Sequence, residues 1–573
     1  MSDTVMAIEE VRNRRPYRVP RAPTPIDLHL DGNEGVLPPD ELLDALDDLD
    51  GHALRDYPST DDLRRQLADR LGIEAGELIV TAGADDAIDR VCRAVLEPGR
   101  NAVIPVPTFE MIPRFAALTG AEVRRVERRK AAFPVDAVVD ATDDDTSLIV
   151  VISPDNPTGR TAQFDDIAEL AARCPQSLIL VDHAYVEFCD QDITERATEF
   201  DNVVVTRTMS KAWGLAGLRV GYGVAPAPVI EWMQTVGGPY PVSRLSLAVA
   251  GQWLRRGGAT QQAFVDRVIT HRQQLHDALD ALGIERSRSR ANFAFARVGD
   301  GLWWRDAMAG MGIGIRAFPD RPKLRDAIRF AVPGESSEVR RLEHALETVA
   351  DPAALLFDLD GVFADVSHSY RRAITETCDS FGVSVDAEQI SAIKARGNAN
   401  NDWQVTRELL AGRGVDADLE EVTRRFEARY QGAGDEPGLW RREECLVERE
   451  FFEQLQDRDL PMAIVTGRPR RDAQRFVEHF DIAQYFDTLV CMEDAPLKPD
   501  PAPVEEAMER LGIDSAWFIG DTPDDMRAGR AAGVLPLGVI APAEDAQTMS
   551  SALLNAGAGR VLDSLDDLLE IVP

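Results

Sequence analysis

Lysine is almost missing from this sequence. Five of the 63 basic residues are lysine, namely Lys130, Lys211, Lys323, Lys394 and Lys498, and arginine supplies the rest. Cysteine is equally sparse. Cys92, Cys174, Cys189, Cys378, Cys445 and Cys491 are widely dispersed with no CxxC pair, which argues against a disulfide framework and for a reducing compartment. The eight histidines form no HExxH or Cys/His cluster, so a zinc site is not expected. No run reaches the ~18 apolar residues that span a bilayer. The opening MSDTVMAIEEVRNRRP has no apolar core, and no secretory signal is expected from it. Positive charge is short overall: 98 acidic residues give a net charge of −35. Such a surface repels nucleic acid and anionic membranes. The expectation is a cytoplasmic protein with no nucleic-acid or membrane partner.

What is present is a chain of 573 residues, 44% apolar and 28% charged, too long for one core and ordinary for folded protein. The acidic, lysine-poor profile resembles that of haloarchaeal proteins; a GC-rich genome, which favours arginine codons, would also leave lysine scarce. Short apolar strands at Glu77–Thr81, Ala102–Pro105, Leu148–Ser153, Leu178–Asp182 and Val203–Thr206 alternate with amphipathic stretches. That alternation predicts an α/β fold with mostly parallel sheets. A last helical stretch, Ser336–Val349, stops at Asp351-Pro352, and a new strand starts at Ala353. Proline after a helix is a stop signal, so a boundary is placed near Asp351. With almost no linker there, the two parts are expected to pack together. The expected layout is an arm over 1–25, one domain over 26–350 and a second over 351–573. The second part carries net −22 against −13 for residues 1–350.

In the first domain, Lys211 lies in TRTMSKAWGLAGLRVGY, residues 206–222. A lysine amine can form a Schiff base with an aldehyde, and nearby hydroxyls and an arginine suit a phosphate. Aldehyde and phosphate together point to pyridoxal phosphate (PLP). Taken alone the segment fits a surface lysine too. Three upstream segments accompany it, each at a strand end: LVDHAYVEF (180–188), SPDNPTG (153–159) and TAGADDA (81–87). Asp182 at a strand end suits a pyridinium nitrogen. Small residues opening a helix after Thr81 expose N–H groups to a phosphate.

Together these segments resemble the fold-type I PLP-dependent class I/II aminotransferases, in particular histidinol-phosphate aminotransferases, over residues 26–350. LHLDGNE (28–34) and RDYP (55–58) resemble two further motifs of that family. The resemblance implies a large domain with a small C-terminal subdomain. It makes Lys211 the Schiff-base and proton-transfer lysine, Asp182 the ring-nitrogen partner, and Asn156 and Tyr185 donors to the ring hydroxyl. Gly83, Ala84, Asp85, Thr208, Ser210 and Arg219 become the phosphate cup. Asn33 and Arg329, the latter in AIRFAVPG (327–334), become substrate residues, Arg329 clamping an acid group. Tyr57 would reach the phosphate of a partner subunit, which implies a homodimer. Three departures stand out: His183 replaces an acidic residue, Phe109 replaces the tyrosine stacked on the ring, and Gly35 replaces a proline.

The second domain opens on LLFDLDGV (355–362), two aspartates at i and i+2 on a strand end. One such carboxylate can attack phosphorus and bind metal while the other handles the leaving-group proton. By itself DxD also fits an acidic turn. AIVTGR (463–468), LKPDP (497–501) and WFIGDTPDDM (517–526) follow in order, the last adding carboxylates suited to magnesium. The set resembles the haloacid dehalogenase (HAD) superfamily over 353–573. The resemblance implies a Rossmann-like core with a C1-type helical cap at about 366–455. Asp358 becomes the nucleophile, Asp360 the general acid/base, and Thr466 and Lys498 the phosphoryl stabilisers. Asp358, Asp360, Asp521 and Asp525 become the Mg²⁺ residues. The polar run KARGNANNDW (394–403) could read the substrate or merely cap a helix.

An aminotransferase and a phosphatase on one chain suggest consecutive steps. The expected function is bifunctional: transamination between imidazole-acetol phosphate and histidinol phosphate with glutamate and 2-oxoglutarate, then hydrolysis of histidinol phosphate. Two alternatives stay open. One is transamination or decarboxylation of another phosphorylated or aromatic amino acid, fused to a phosphoglycolate-phosphatase-like hydrolase. The other is a non-catalytic, regulatory role for one domain.

Overall fold

The computed structural model describes residues 6–573 apart from Asn13, Val19, Asp48, Asn398, Asp435 and Ala543. Backbone contacts divide the chain into two units. The first holds the chain up to Val19, Leu30–Val298 and Ala327–Val339; the second holds Pro20–His29, Gly299–Asp326 and Arg340–Pro573.

The first unit is built on a seven-stranded sheet. Its strands are β1 (Leu78–Thr81), β2 (Asn101–Val106), β3 (Glu122–Glu127), β4 (Thr146–Ile152), β5 (Leu178–Asp182), β6 (Val203–Thr208) and β7 (Gly221–Val224), in the order β1-β7-β6-β5-β4-β2-β3. Only β7 runs antiparallel to its neighbours. Strands β1, β5, β6 and β7 are buried throughout, which is why they read as continuous Val/Ile/Leu runs and not as alternating ones. Helix α1 (Gly83–Val95) follows β1 and turns Ala87, Ile88, Val91 and Cys92 inward, the i, i+4 spacing of a helix with one apolar face. The register sets Asp182 beside Ile152 and Thr206. The C-terminal ends of β4, β5 and β6 therefore gather at one edge, where parallel sheets bind ligands. A smaller antiparallel pair, β8 (Phe293–Arg297) with β9 (Ala327–Ala331), carries Arg329 opposite Phe295.

In the second unit, helix α2 (Gly301–Gly310) and the later turns of α3 (Ser336–Ala350) accompany a six-stranded sheet. Its strands are β10 (Leu355–Phe357), β11 (Met462–Val465), β12 (Thr488–Val490), β13 (Trp517–Gly520), β14 (Leu535–Val539) and β15 (Arg560–Leu562), all parallel, in the order β12-β11-β10-β13-β14-β15. Between β10 and β11 the chain leaves through Ala364–Asp365 and returns through Glu444–Cys445, which pair antiparallel. The insertion so closed is helical: α4 (Tyr370–Asp379), α5 (Ala387–Lys394), α6 (Asp402–Ala411) and α7 (Leu419–Gln431). Helix α8 (Pro523–Ala531) follows β13 and starts on a capping box between Thr522 and Asp525.

The segments of this unit that precede residue 351 are stitched to the sheet by specific contacts. The Trp517 indole N–H donates to Thr348 O at 2.6 Å, and its ring meets Trp303 edge-on at 5.3 Å. Thr24 Oγ1 donates to Ala558 O and Arg530 to Pro25 O, at 2.6 and 2.7 Å. Among the described residues no helix is long and apolar enough to cross a membrane.

Candidate active sites

The first site forms at the strand ends of the seven-stranded sheet. Lys211 Nζ donates to Gly32 O at 3.2 Å and lies 5.8 Å from the centre of the Tyr185 ring. The Tyr185 hydroxyl accepts from Asn33 Nδ2 at 3.4 Å and from Asn156 Nδ2 at 3.3 Å. Arg329 donates to Asn156 Oδ1 and to Asp31 O, each at 2.7 Å. Thr208, Ser210 and Arg219 form a second group. Thr208 Oγ1 is 2.9 Å from Ser210 Oγ, and Arg219 reaches Ser210 Oγ at 3.5 Å and Asp85 Oδ2 at 3.4 Å. Gly83 and Ala84 open α1 beside this group.

Electrostatics set the two central groups apart. Asp182 is buried and accepts from the Ala184 N–H at 3.1 Å and from Thr206 Oγ1 at 3.5 Å. Burial pushes its carboxyl up to about 7. Burial, aided by the Arg329 guanidinium, brings the Lys211 amine down to about 8, so about a tenth of the amine is neutral at pH 7, far more than for a free lysine. A buried carboxylate awaiting a cationic N–H, a softened amine, and hydroxyls with an arginine at a helix start are the donor set that PLP needs. The residues present fit that cofactor.

One expected residue stands apart. Tyr57 is 77% exposed and stacks on Tyr240 at 4.5 Å, outside this cluster. Phe109 is half-buried and packs against the apolar core beneath the sheet. His183 is fully buried, 3.6 Å from Asp192, and burial lowers its pKa. It belongs to an internal network in which Arg207 joins Asp192 and Glu187. The glycine at 35 has a structural reason: a Cβ there would sit 1.9 Å from Lys211 O.

The second site lies at the C-terminal ends of three adjacent strands, because Phe357 is in register with both Ile464 and Ile519. Asp358, Thr466 and Asp521 each emerge just past those strands. Lys498 Nζ bridges Asp358 Oδ1 at 2.8 Å and Asp525 Oδ1 at 2.5 Å and also meets Val465 O. Thr466 Oγ1 accepts from the Arg468 N–H. Asp358, Asp521 and Asp525 each bring an oxygen within 4.8 Å of the others. Asp521 Oδ1 is buried without a hydrogen-bond partner. A hard divalent cation fits this oxygen set. Burial raises the Asp358 pKa and Lys498 opposes it, while Asp525 adds like-charge repulsion. Burial raises Asp521 further, helped by Asp525 and Asp358. Gly361 holds a positive φ of 73°, and a Cβ there would meet Asp521 Oδ2 at 2.1 Å; glycine lets that carboxylate approach.

Asp360 is not part of the three-oxygen group; Arg468 holds it instead. From the insertion, Ala399 N–H and Asn400 Nδ2 donate to Asp524 Oδ2, and Lys394 pairs with Asp402 at 3.3 Å beside the same pocket. Arg396 is exposed and pairs with Glu408, and Asn398 lies outside the described residues. Sequence reasoning assigned no role to Arg468, Glu443 or Asp524. The only signal for Arg468 was its place two residues beyond the strand-end threonine.

A family model described as aminotransferase class I and II matches residues 28–346, over half of the chain. The chain belongs to the class I and II aminotransferases. A second model, haloacid dehalogenase-like hydrolase, matches residues 355–539. The protein is thus a PLP-dependent aminotransferase fused to a HAD hydrolase. It is 30% identical over 315 residues to histidinol-phosphate aminotransferase 1 of Trichormus variabilis, covering 53% of this chain and 87% of that one. It is 42% identical over 240 residues to the imidazoleglycerol-phosphate dehydratase of Phytophthora nicotianae, covering 38% of this chain. The aminotransferase spans about half the length of that relative, 52%. The crystal structure of histidinol-phosphate aminotransferase from Sinorhizobium meliloti in complex with pyridoxal-5'-phosphate shares its fold. The TM-score is 0.51 at 23% identity, over 56% of this chain and 90% of that one.

Proposed function

We propose that this chain catalyses two consecutive steps of histidine biosynthesis. The first site interconverts imidazole-acetol phosphate and histidinol phosphate, using glutamate and 2-oxoglutarate. The second hydrolyses histidinol phosphate with the help of Mg²⁺. The observation that carries the reading is the presence of both poised groups in one chain, Lys211 facing Tyr185 and Asp358 clamped by Lys498. The substrate comes from the relatives. One is named for histidinol phosphate; the other is named for a dehydratase whose product, by loss of water from imidazoleglycerol phosphate, is imidazole-acetol phosphate.

Bound PLP supplies an electron sink for the substrate's α-carbon. Lys211 holds and moves the proton at that carbon. Asp182 keeps the ring nitrogen protonated, Asn156 and Tyr185 orient the ring hydroxyl, and Thr208, Ser210, Arg219 and the start of α1 hold the phosphate. Phe109 stacks on the ring, and Arg329 and Asn33 face the substrate. Tyr57 serves the site of a second copy, which accounts for its exposure.

At the second site Asp358 attacks phosphorus as the bond to the leaving oxygen breaks, and Asp360 gives that oxygen a proton. Asp360 then takes a proton from the water that cleaves the aspartyl-phosphate. Thr466 and Lys498 bear the phosphoryl charge, and Mg²⁺ between Asp358, Asp521 and Asp525 would offset carboxylate repulsion. The test is turnover of histidinol phosphate by the whole chain, following 2-oxoglutarate-dependent transfer of its amino group and phosphate release separately. Failure to transaminate histidinol phosphate sinks the first half; phosphate release that survives Asp358→Asn sinks the second.

A further inference from the structure

Arg468 is 2% exposed, yet it carries a full charge inside the second unit. Its Nε and NH2 lie 2.6 and 2.5 Å from Asp360 Oδ1. Its NH1 lies 3.1 Å from Glu443 Oε2 and 3.4 Å from the Tyr430 hydroxyl, which itself donates to Glu443 Oε1 at 2.9 Å. The guanidinium also sits over the Tyr370 ring, 4.9 Å from its centre. Tyr370, Tyr430 and Glu443 all belong to the helical insertion, whereas Asp360 and Arg468 belong to the core around the nucleophile. One buried cation therefore ties the insertion to the carboxylate beside Asp358.

Burying such a charge costs several kcal/mol unless geometry and partners are excellent, and here two carboxylates and a hydroxyl share it. Surface alternatives exist for an arginine in this chain, so stability alone is a poor reason for the arrangement. Catalysis supplies a better one. A proton donor must be held within a few tenths of an ångström of the leaving oxygen to act. The Nε–H of Arg468 donates to Asp360 Oδ1 and the NH2 nitrogen lies against the same oxygen, which anchors that oxygen and leaves Oδ2 as the one for the substrate.

We propose that Arg468 is a positioning residue for phosphate-ester hydrolysis, orienting Asp360 only while Glu443 and Tyr430 of the insertion hold it from behind. The insertion thus completes the acid as well as covering the pocket. This rests on reading the second site as a phosphatase.

The experiment compares phosphate release by the full chain with Mg²⁺ from two esters. Histidinol phosphate has a poor leaving group that needs a proton; p-nitrophenyl phosphate has a good one that does not. Arg468→Met is expected to lose about 100-fold in kcat/KM on the first and less than about 5-fold on the second, since kcat/KM covers only the steps up to departure of the alcohol, where general-acid assistance matters for the poor leaving group alone. Arg468→Lys should recover part of the loss, and Glu443→Gln should move the ratio in the same direction by less. Equal losses on both esters, or none, overturn the proposal. A wild-type chain that cleaves neither ester ends the phosphatase reading itself. Thermal unfolding of the same preparations, followed with and without Mg²⁺, reports folding of the second unit; should Arg468→Met fail to fold, the ratio measured with Glu443→Gln and Arg468→Lys decides.

Discussion

At Asp182 one carboxylate is buried with a backbone N–H and a hydroxyl for company, and loss of solvent is the main cause of its raised pKa. At Asp358 burial acts again, but three carboxylates and Lys498 crowd the same few ångströms. At the first site Asp182 has only a backbone N–H and a hydroxyl as partners, and the second has too much charge of one sign. Each is unstable by itself in a way that a specific ligand relieves: a ring N–H in one, a divalent cation in the other. Prepared sites of this kind hold their strain before the ligand arrives, and the ligand then gains affinity from relieving it.

The sharpest way to separate the two regions is to remove each nucleophile. Lys211→Ala is expected to lower transamination by roughly 10⁴-fold or more and leave phosphate release intact, and Asp358→Asn to do the reverse. Coupled loss of both activities in either variant would break the comparison.

Protonation gives the next largest effect. In cofactor-free protein, Asp182 keeps its proton up to about pH 7, whereas the unfolded chain releases it near 3.8. The native state binds more protons in that window, so unfolding free energy falls as pH rises from 4 to 7, by up to about 4 kcal/mol from this group. Thermal melts of the wild type and Asp182→Asn should run close together near pH 4, where the wild-type carboxyl is as neutral as the amide, and diverge most near pH 7 with the wild type the less stable; parallel curves would refute the assignment.

A smaller effect comes from the backbone. Gly35→Ala pushes a Cβ into Lys211 O, and displacing the lysine by a fraction of an ångström should cost transamination about 100-fold with hydrolysis unchanged. The smallest concerns the metal. Mg²⁺ at ten times its Kd should raise the unfolding free energy by about 1.4 kcal/mol, and Asp521→Asn should abolish that shift while transamination ignores the metal throughout.

Much of both sites was legible because each key residue sits at a strand end within a short local segment. Asp182 after LILV, Asp358 after LLF and Asp521 after WFIG announce themselves by the apolar run before them. The same pattern revealed the two sheets. Pairings across long sequence distance left no such trace. Arg468 meets Glu443 only because an insertion of helices folds back over the core, and Gly35 meets Lys211 through a contact that no periodicity encodes. The grouping of Pro20–His29 and Gly299–Asp326 with the hydrolase sheet was hidden for the same reason. His183 and Asp192 read as ordinary polar residues until burial made them partners.

The contact of Trp517 with Thr348 and Trp303 also bears on how this gene can evolve. Both rings are buried, Trp517 completely and Trp303 at 8% exposure. A break of the reading frame at Asp351 would leave an indole without its carbonyl partner on one product and bare apolar surface on both. Splitting the chain at that point therefore carries a stability cost on both products unless that face is rewritten first.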